Sequence, residues 1–66
     1  MDKKLAKNIR AERLNAGLTQ KEAAERAGTN VRYFGKLERG EVLPSIKMLQ
    51  KICKALSCNS TDLLPF

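Results

Sequence analysis

The segment GTNVRYFGKLERG, residues 28–40, carries Arg32, Lys36 and Arg39 at intervals of four and three. Wound as a helix from Val31, at about 100° per residue, these cations fall on one narrow stripe with Gly35 beside them. Phe34 and Leu37 point the other way. Like charges at i and i+4 cost an isolated helix roughly 0.2–0.5 kcal/mol, so the stripe needs an anion opposite it. Guanidinium and ammonium groups bond phosphate oxygens, and in the DNA major groove they bond O6 and N7 of guanine. The chemistry on offer is polyanion binding. Gly35 has two readings: it lets a duplex backbone come near, or it is a weak helix residue on an exposed face, at a cost of roughly 1 kcal/mol.

Two further charges do not belong to that surface. Arg13 and Glu38 each fall within the apolar stripe of their own helical segment, where an unpaired charge is expensive. Other chemistries lack their residues. The chain has no histidine, so Cys53 and Cys58 cannot complete a zinc site in the usual way. Cys53 shares a face with Ile46, Leu49 and Leu56 and reads as a buried thiol. A disulfide is disfavoured in a cytoplasmic chain. With no paired carboxylates at a plausible site and no glycine-rich phosphate loop, neither catalysis nor a cofactor nor a metal is expected.

Five short helices must position these groups. The first spans Lys3 to Ala16 and stops at Gly17. The second spans Gln20 to Ala27, opened by the capping box Thr19-x-x-Glu22 and closed by Gly28. Ala23, Ala24 and Ala27 give it a small-residue face that another helix can approach closely. The third spans Val31 to Glu38, capped by Thr29 or Asn30 and ended by Gly40. Pro44 excludes helix at the residue before it, and Ser45 caps a fourth helix from Ile46 to Leu56. Lys47, Lys51 and Lys54 line that helix's outer side as a solvated face. Asn59-x-x-Asp62 opens a last turn, Ser60 to Leu64. Helices this short are marginal alone in water, so their stripes must meet. The expected core is Leu5, Ile9, Leu18, Ala23, Ala27, Phe34, Leu37, Ile46, Leu49, Ile52, Leu56, Leu63 and Leu64.

Length and charge narrow the function. Sixty-six residues make one domain, too small for a deep cleft between lobes. Thirteen Lys and Arg against seven Asp and Glu give +6, which suits nucleic acid first and an anionic membrane surface second, and is also compatible with plain solubility. No stretch approaches a membrane span, and no signal-peptide core follows Met1, so a cytoplasmic protein is expected. Only Gly28, Thr29 and Asn30 separate the second and third helices, the length and glycine content of a helix-turn-helix over about residues 20–38. In that unit the second helix enters the major groove.

The stretch GLTQKEAAERAGTNVRYFGKLERGEVLPS resembles the helix-turn-helix of the lambdoid phage repressors and Xre-type bacterial regulators. The matching pieces are GLTQ (17–20), AG (27–28), LERG (37–40), PS (44–45), ALS (55–57) and DLL (62–64). The resemblance runs from about Leu5 to Leu64. It implies an all-α, compact five-helix lambda-repressor-like DNA-binding domain over residues 1–66, a transcriptional repressor acting as a dimer on a near-palindromic operator. Carried over by position, Asn30, Val31, Arg32 and Lys36 read bases. Gln20, Tyr33 and Arg39 hold phosphates, Gln20 from a helix N-terminus suited to anions. Asn30 also reads as a plain helix cap, and Tyr33 as partly buried beside Phe34. The family pairs an arginine of helix one with a glutamate of helix three, which makes Arg13 and Glu38 a structural ion pair.

There are departures. The loop before Pro44 is often basic in the family, whereas here it is Glu41-Val42-Leu43. Ser57 stands where a helix-ending glycine is common. Relatives often continue into a ligand, protease or oligomerisation domain, and none is expected here. The fourth helix has a wide apolar face and the sequence ends on LLPF, so Met48, Ile52, Leu64 and Phe66 are expected to form a weak homodimer contact. The same fold also serves antitoxins, which bind a toxin as protein partner, and controllers of restriction–modification genes.

Overall fold

The computed structural model describes residues 2–64, with five helices and no strand among them: α1 Asp2–Asn15, α2 Gln20–Arg26, α3 Val31–Glu38, α4 Ile46–Leu56 and α5 Ser60–Leu63. Short polar side chains start the helices. Thr19 Oγ1 accepts the Glu22 amide at 3.1 Å, and Glu22 Oε1 accepts the Thr19 amide at 2.9 Å, closing the expected capping box. Asn30 Oδ1 accepts the Tyr33 amide at 2.8 Å, and Ser45 Oγ accepts the Met48 amide at 3.1 Å. Asn30, not Thr29, is therefore the cap of α3.

Gly28 (φ +76°) and Gly40 (φ +73°) bracket α3 in the left-handed region, where a side chain is strained. Helix α4 ends on the same conformation without a glycine. Ser57 has φ 56° and ψ 41°, and the Cys58 amide donates to the Cys53 carbonyl at 3.0 Å. That conformation costs an L residue roughly 1–2 kcal/mol, partly offset by the freedom glycine adds to the unfolded chain. Ser57→Gly is therefore expected to stabilise the domain by about 0.5–1 kcal/mol and raise Tm by about 2–8 °C in a thermal melt.

The core closes around Phe34, Ile9, Leu37, Ile52 and Leu63, each fully buried. Ala23, Ala24 and Ala27 are buried too, and this small-residue face lets α3 lie close against α2. Helix α1 packs on α3 and α5, and Asn8 Nδ2 donates to the Leu63 carbonyl at 2.8 Å. Three core expectations fail in part. Ile46 is 79% exposed, while Leu49 and Leu64 are only half-buried. The buried stripe of α4 is Ile52, Ala55 and Leu56, in its last two turns. Ile46 lies on the opposite side of the helix from Ala55, off that stripe. Ile52 is the reverse correction: it is wholly buried in its own core and offers nothing to a dimer contact. Phe66, the other terminal member of that contact, lies outside the described residues.

Candidate nucleic-acid interface

Gly28 turns the chain from α2 into α3 in three residues. The Gly28 amide donates to the Glu25 carbonyl at 3.1 Å, and the Thr29 amide to the Ala24 carbonyl at 2.9 Å. Helix α3 then buries Phe34 and Leu37 and turns its other side outward. Asn30, Val31 and Arg32 are exposed, Val31 at 46%, and Tyr33 and Lys36 are half-buried. Asn30 spends its side-chain oxygen on the cap, which leaves its amide NH2. Tyr33 packs against the edge of the core, so its apolar body has a structural use beside Phe34.

Glu38 is what holds this helix in place. Its side chain is 4% exposed and accepts three hydrogen bonds. Arg13 donates twice, Nε to Oε2 at 2.6 Å and Nη2 to Oε1 at 3.1 Å. Arg13 Nη1 also reaches the Leu18 carbonyl at 2.9 Å. The third donor is Gln20 Nε2, 3.0 Å from Oε1. One carboxylate thus ties α1, the segment before α2, the start of α2 and the end of α3 together. None of its partners is a solvent-exposed group that water could easily replace. The Arg13–Glu38 ion pair is present as the apolar stripes require. Gln20 was read as a phosphate contact, yet its amide also turns inward to this carboxylate, leaving one Nε2 hydrogen. Its place on the edge of the small-residue face of α2 was the available signal.

At the C-terminal end of α3, Arg39 Nε donates to Glu41 Oε2 at 2.5 Å, with the two side chains 58% and 49% exposed. This hydrogen bond, with the attraction of the charges behind it, raises the Arg39 pKa. The same bond holds the Glu41 carboxyl below the usual carboxylate range, and Lys36 adds a smaller pull. Gly35 is buried beneath these groups. A Cβ there would lie 3.1 Å from Arg39 Nη1 and 3.9 Å from Gln20 Oε1. It is therefore neither on an open face nor free to receive a duplex backbone until Arg39 moves.

Helix α1 supplies cations that the sequence reading passed over. Lys3, Lys7 and Arg10 share a cleft with Ala6, Glu38 and Arg39, which continues the basic surface beyond α3. Their i, i+4, i+7 spacing was a readable signal. The thiols contribute no comparable chemistry. Cys53 and Cys58 are half-buried and free, and burial pushes both pKa values up, Cys58 to about 12. Cys53 is thus less buried than expected. Among the described residues no group of three or more His, Cys, Asp or Glu could hold a metal, and no helix is long and apolar enough to cross a membrane.

Known proteins share both the sequence pattern and this geometry. The Helix-turn-helix family model matches residues 9–63. The uncharacterized HTH-type transcriptional regulator YazB of Bacillus subtilis is 36% identical over 59 residues, covering 89% of this chain and 86% of its own. The uncharacterized HTH-type transcriptional regulator y4dJ of Sinorhizobium fredii is 33% identical over 64 residues, covering 97% and 83%. Among solved structures, the clp gene regulator ClgR of Corynebacterium glutamicum superposes with a TM-score of 0.88 at 31% identity, over 94% of this chain and 80% of that one. The restriction–modification controller protein C.AhdI of Aeromonas hydrophila superposes with a TM-score of 0.90 at 29% identity, over 94% of both. With five helices in this order, an ion-paired third helix and a family match across most of its length, the chain belongs to the Xre-like helix-turn-helix family.

Proposed function

We propose that this chain is a cytoplasmic transcriptional regulator that binds double-stranded DNA sequence-specifically, as a dimer on a near-palindromic operator, and represses. The observation that carries this reading is α3 itself. Its outward side carries the exposed Arg32 and the half-buried Lys36, and its back is held by Glu38 to two other helices. Arg32 and Lys36 read base edges, with Val31 against a thymine methyl and the Asn30 amide beside them. Arg39, Tyr33 and the outward part of Gln20 hold backbone phosphates, so the protein needs neither a cofactor nor a metal.

A two-turn helix covers only a few base pairs, so specificity calls for two copies. The second copy has an apolar surface to use. Ile46 and Leu43 are exposed, and a groove runs between α4 and α5 past Ile46, Leu49, Gln50, Ser60 and Leu64. Of the residues expected from the sequence, Leu64 lines this groove, whereas Met48 packs against the core; Ile46 replaces Ile52, and Phe66 follows Leu64 by two residues. Half-sites are expected about one helical turn, ~34 Å, apart. Selection from a random duplex pool, followed by sedimentation on the selected duplex, tests both points. Two protomers per duplex are expected, and a single protomer on one half-site rejects the dimer. Ile46→Ser is expected to change stability by no more than about 0.5 kcal/mol, because the side chain is exposed. It should nevertheless turn cooperative binding into independent binding of single protomers in the same titration.

The similarity to C.AhdI favours a second reading, control of restriction–modification genes, through the same interface. A neighbouring methyltransferase gene decides for it, and a neighbouring toxin gene decides for the antitoxin role.

A further inference from the structure

We propose that Glu41 is a built-in competitor for DNA phosphate, set against Arg39 so that the duplex must displace one carboxylate per protomer before this cation can hold the backbone. The proposal rests on the reading of Arg39 as a phosphate holder. Three observations lead to it. The Arg39 guanidinium is already engaged, through Nε, by the Glu41 carboxylate. Its Nη1 lies across the buried Gly35, so the group is laid along the outer face of α3, where a phosphate would approach. The position of Glu41 is fixed by backbone: Gly40 turns at φ +73°, and the Glu41 amide donates to the Lys36 carbonyl at 2.9 Å. That bond leaves the carboxylate close to both Arg39 and Lys36.

Both side chains are about half exposed, which makes the pair weak and displaceable. Its loss is comparable to what one phosphate contact returns, so the pair lowers affinity without abolishing it. Glu41 therefore lowers the affinity for every sequence and leaves their ranking alone. This gives the acidic loop before Pro44 a role that a basic loop could not perform.

The test is a titration of wild type, Glu41→Gln, Arg39→Ala and the double variant against mixed-sequence duplex DNA and the selected duplex, at several salt concentrations. Thermal melts confirm that each variant is folded. Glu41→Gln is expected to bind about two- to fivefold tighter per protomer on both probes. Its slope of log affinity against log salt should stay close to wild type, because Arg39 neutralises the same phosphate in both complexes. In the Arg39→Ala background the same substitution should leave affinity unchanged. Equal tightening in both backgrounds would mean a general charge effect and would overturn the proposal. Weaker binding of Glu41→Gln would mean that the carboxylate positions Arg39 for DNA, and would also overturn it. If Arg39→Ala weakens binding but Glu41→Gln is silent, the competitor alone falls. If Arg39→Ala is itself silent, the phosphate-holding reading falls first and the competitor with it.

Discussion

Glu38→Ala is expected to unfold the domain or leave it barely folded at 25 °C. The carboxylate is buried and takes three hydrogen bonds, two from Arg13 and one from Gln20. Alanine supplies none of them. It strands a guanidinium that belongs to a residue only 9% exposed, with one bond left, to the Leu18 carbonyl. Removing one partner of a buried pair costs about 3–5 kcal/mol. A chain of this length has about 3–10 kcal/mol in total. Tm should fall by about 12–40 °C where a transition remains at all. Circular dichroism during a melt reads this directly. A shift of one or two degrees would mean that the pair is solvated and that something else orients α3. Arg13→Met combined with Glu38→Leu should recover much of the loss, since exchanging a buried pair for apolar groups of similar volume is often neutral. Stability and α3 orientation can thereby be separated.

Arg13 and Glu38 were visible in the sequence because each breaks the apolar pattern of its own helix, and periodicity reports such breaks well. The helix ends were equally open to reading. Thr19 with Glu22, Ser45, and the glycines at 28 and 40 are local signals whose hydrogen bonds close within a few residues. Ile46 was misread for the complementary reason. The apolar face of α4 was drawn too wide, because an apolar residue at its margin looks the same in sequence as one at its centre. Ile46 lies roughly 120° around α4 from Ile52 and opposite Ala55, so it points away from the stripe that is sealed inside. Gln20, Gly35 and Arg39 were assigned to one side of the helix-turn-helix, but their mutual contacts were not foreseen. Gln20 reaches Glu38 eighteen residues away, and Arg39 lies over Gly35 and bonds Glu41. Such contacts depend on rotamers and on the meeting of two helices, which spacing along one chain does not encode. The Lys3, Lys7 and Arg10 stripe had the right periodicity. Its meaning depends on the packing of α1 against α3, which brings it alongside Arg39.

The second large effect is expected on DNA. Arg32 and Lys36 lie one turn apart on the outward face of α3, so both can face base edges in one groove. Arg39 follows the last residue of the helix, as its C-cap, and is expected to reach the flanking backbone. Losing a base contact costs about 1–3 kcal/mol and relaxes preference at one position, and a dimer loses it in both half-sites. Losing a phosphate contact weakens all sequences alike and flattens the salt slope by roughly one per cation and protomer. Arg32→Ala and Lys36→Ala should therefore change which duplexes are preferred. Arg39→Ala should lower affinity throughout and leave the order of preference intact. None of these three side chains is buried, so the variants are expected to melt close to wild type.

The most direct test of α3 as a fixed reading helix is a binding titration of wild type, Arg32→Ala, Lys36→Ala and Arg39→Ala against single-base variants of the selected operator at two salt concentrations. The predicted result is a panel reordered at one symmetric position by Arg32→Ala and at another by Lys36→Ala, with Arg39→Ala shifting every duplex equally and flattening the salt slope. A panel reordered by Arg39→Ala and untouched by Arg32→Ala would contradict it, as would a wild type that binds every duplex alike.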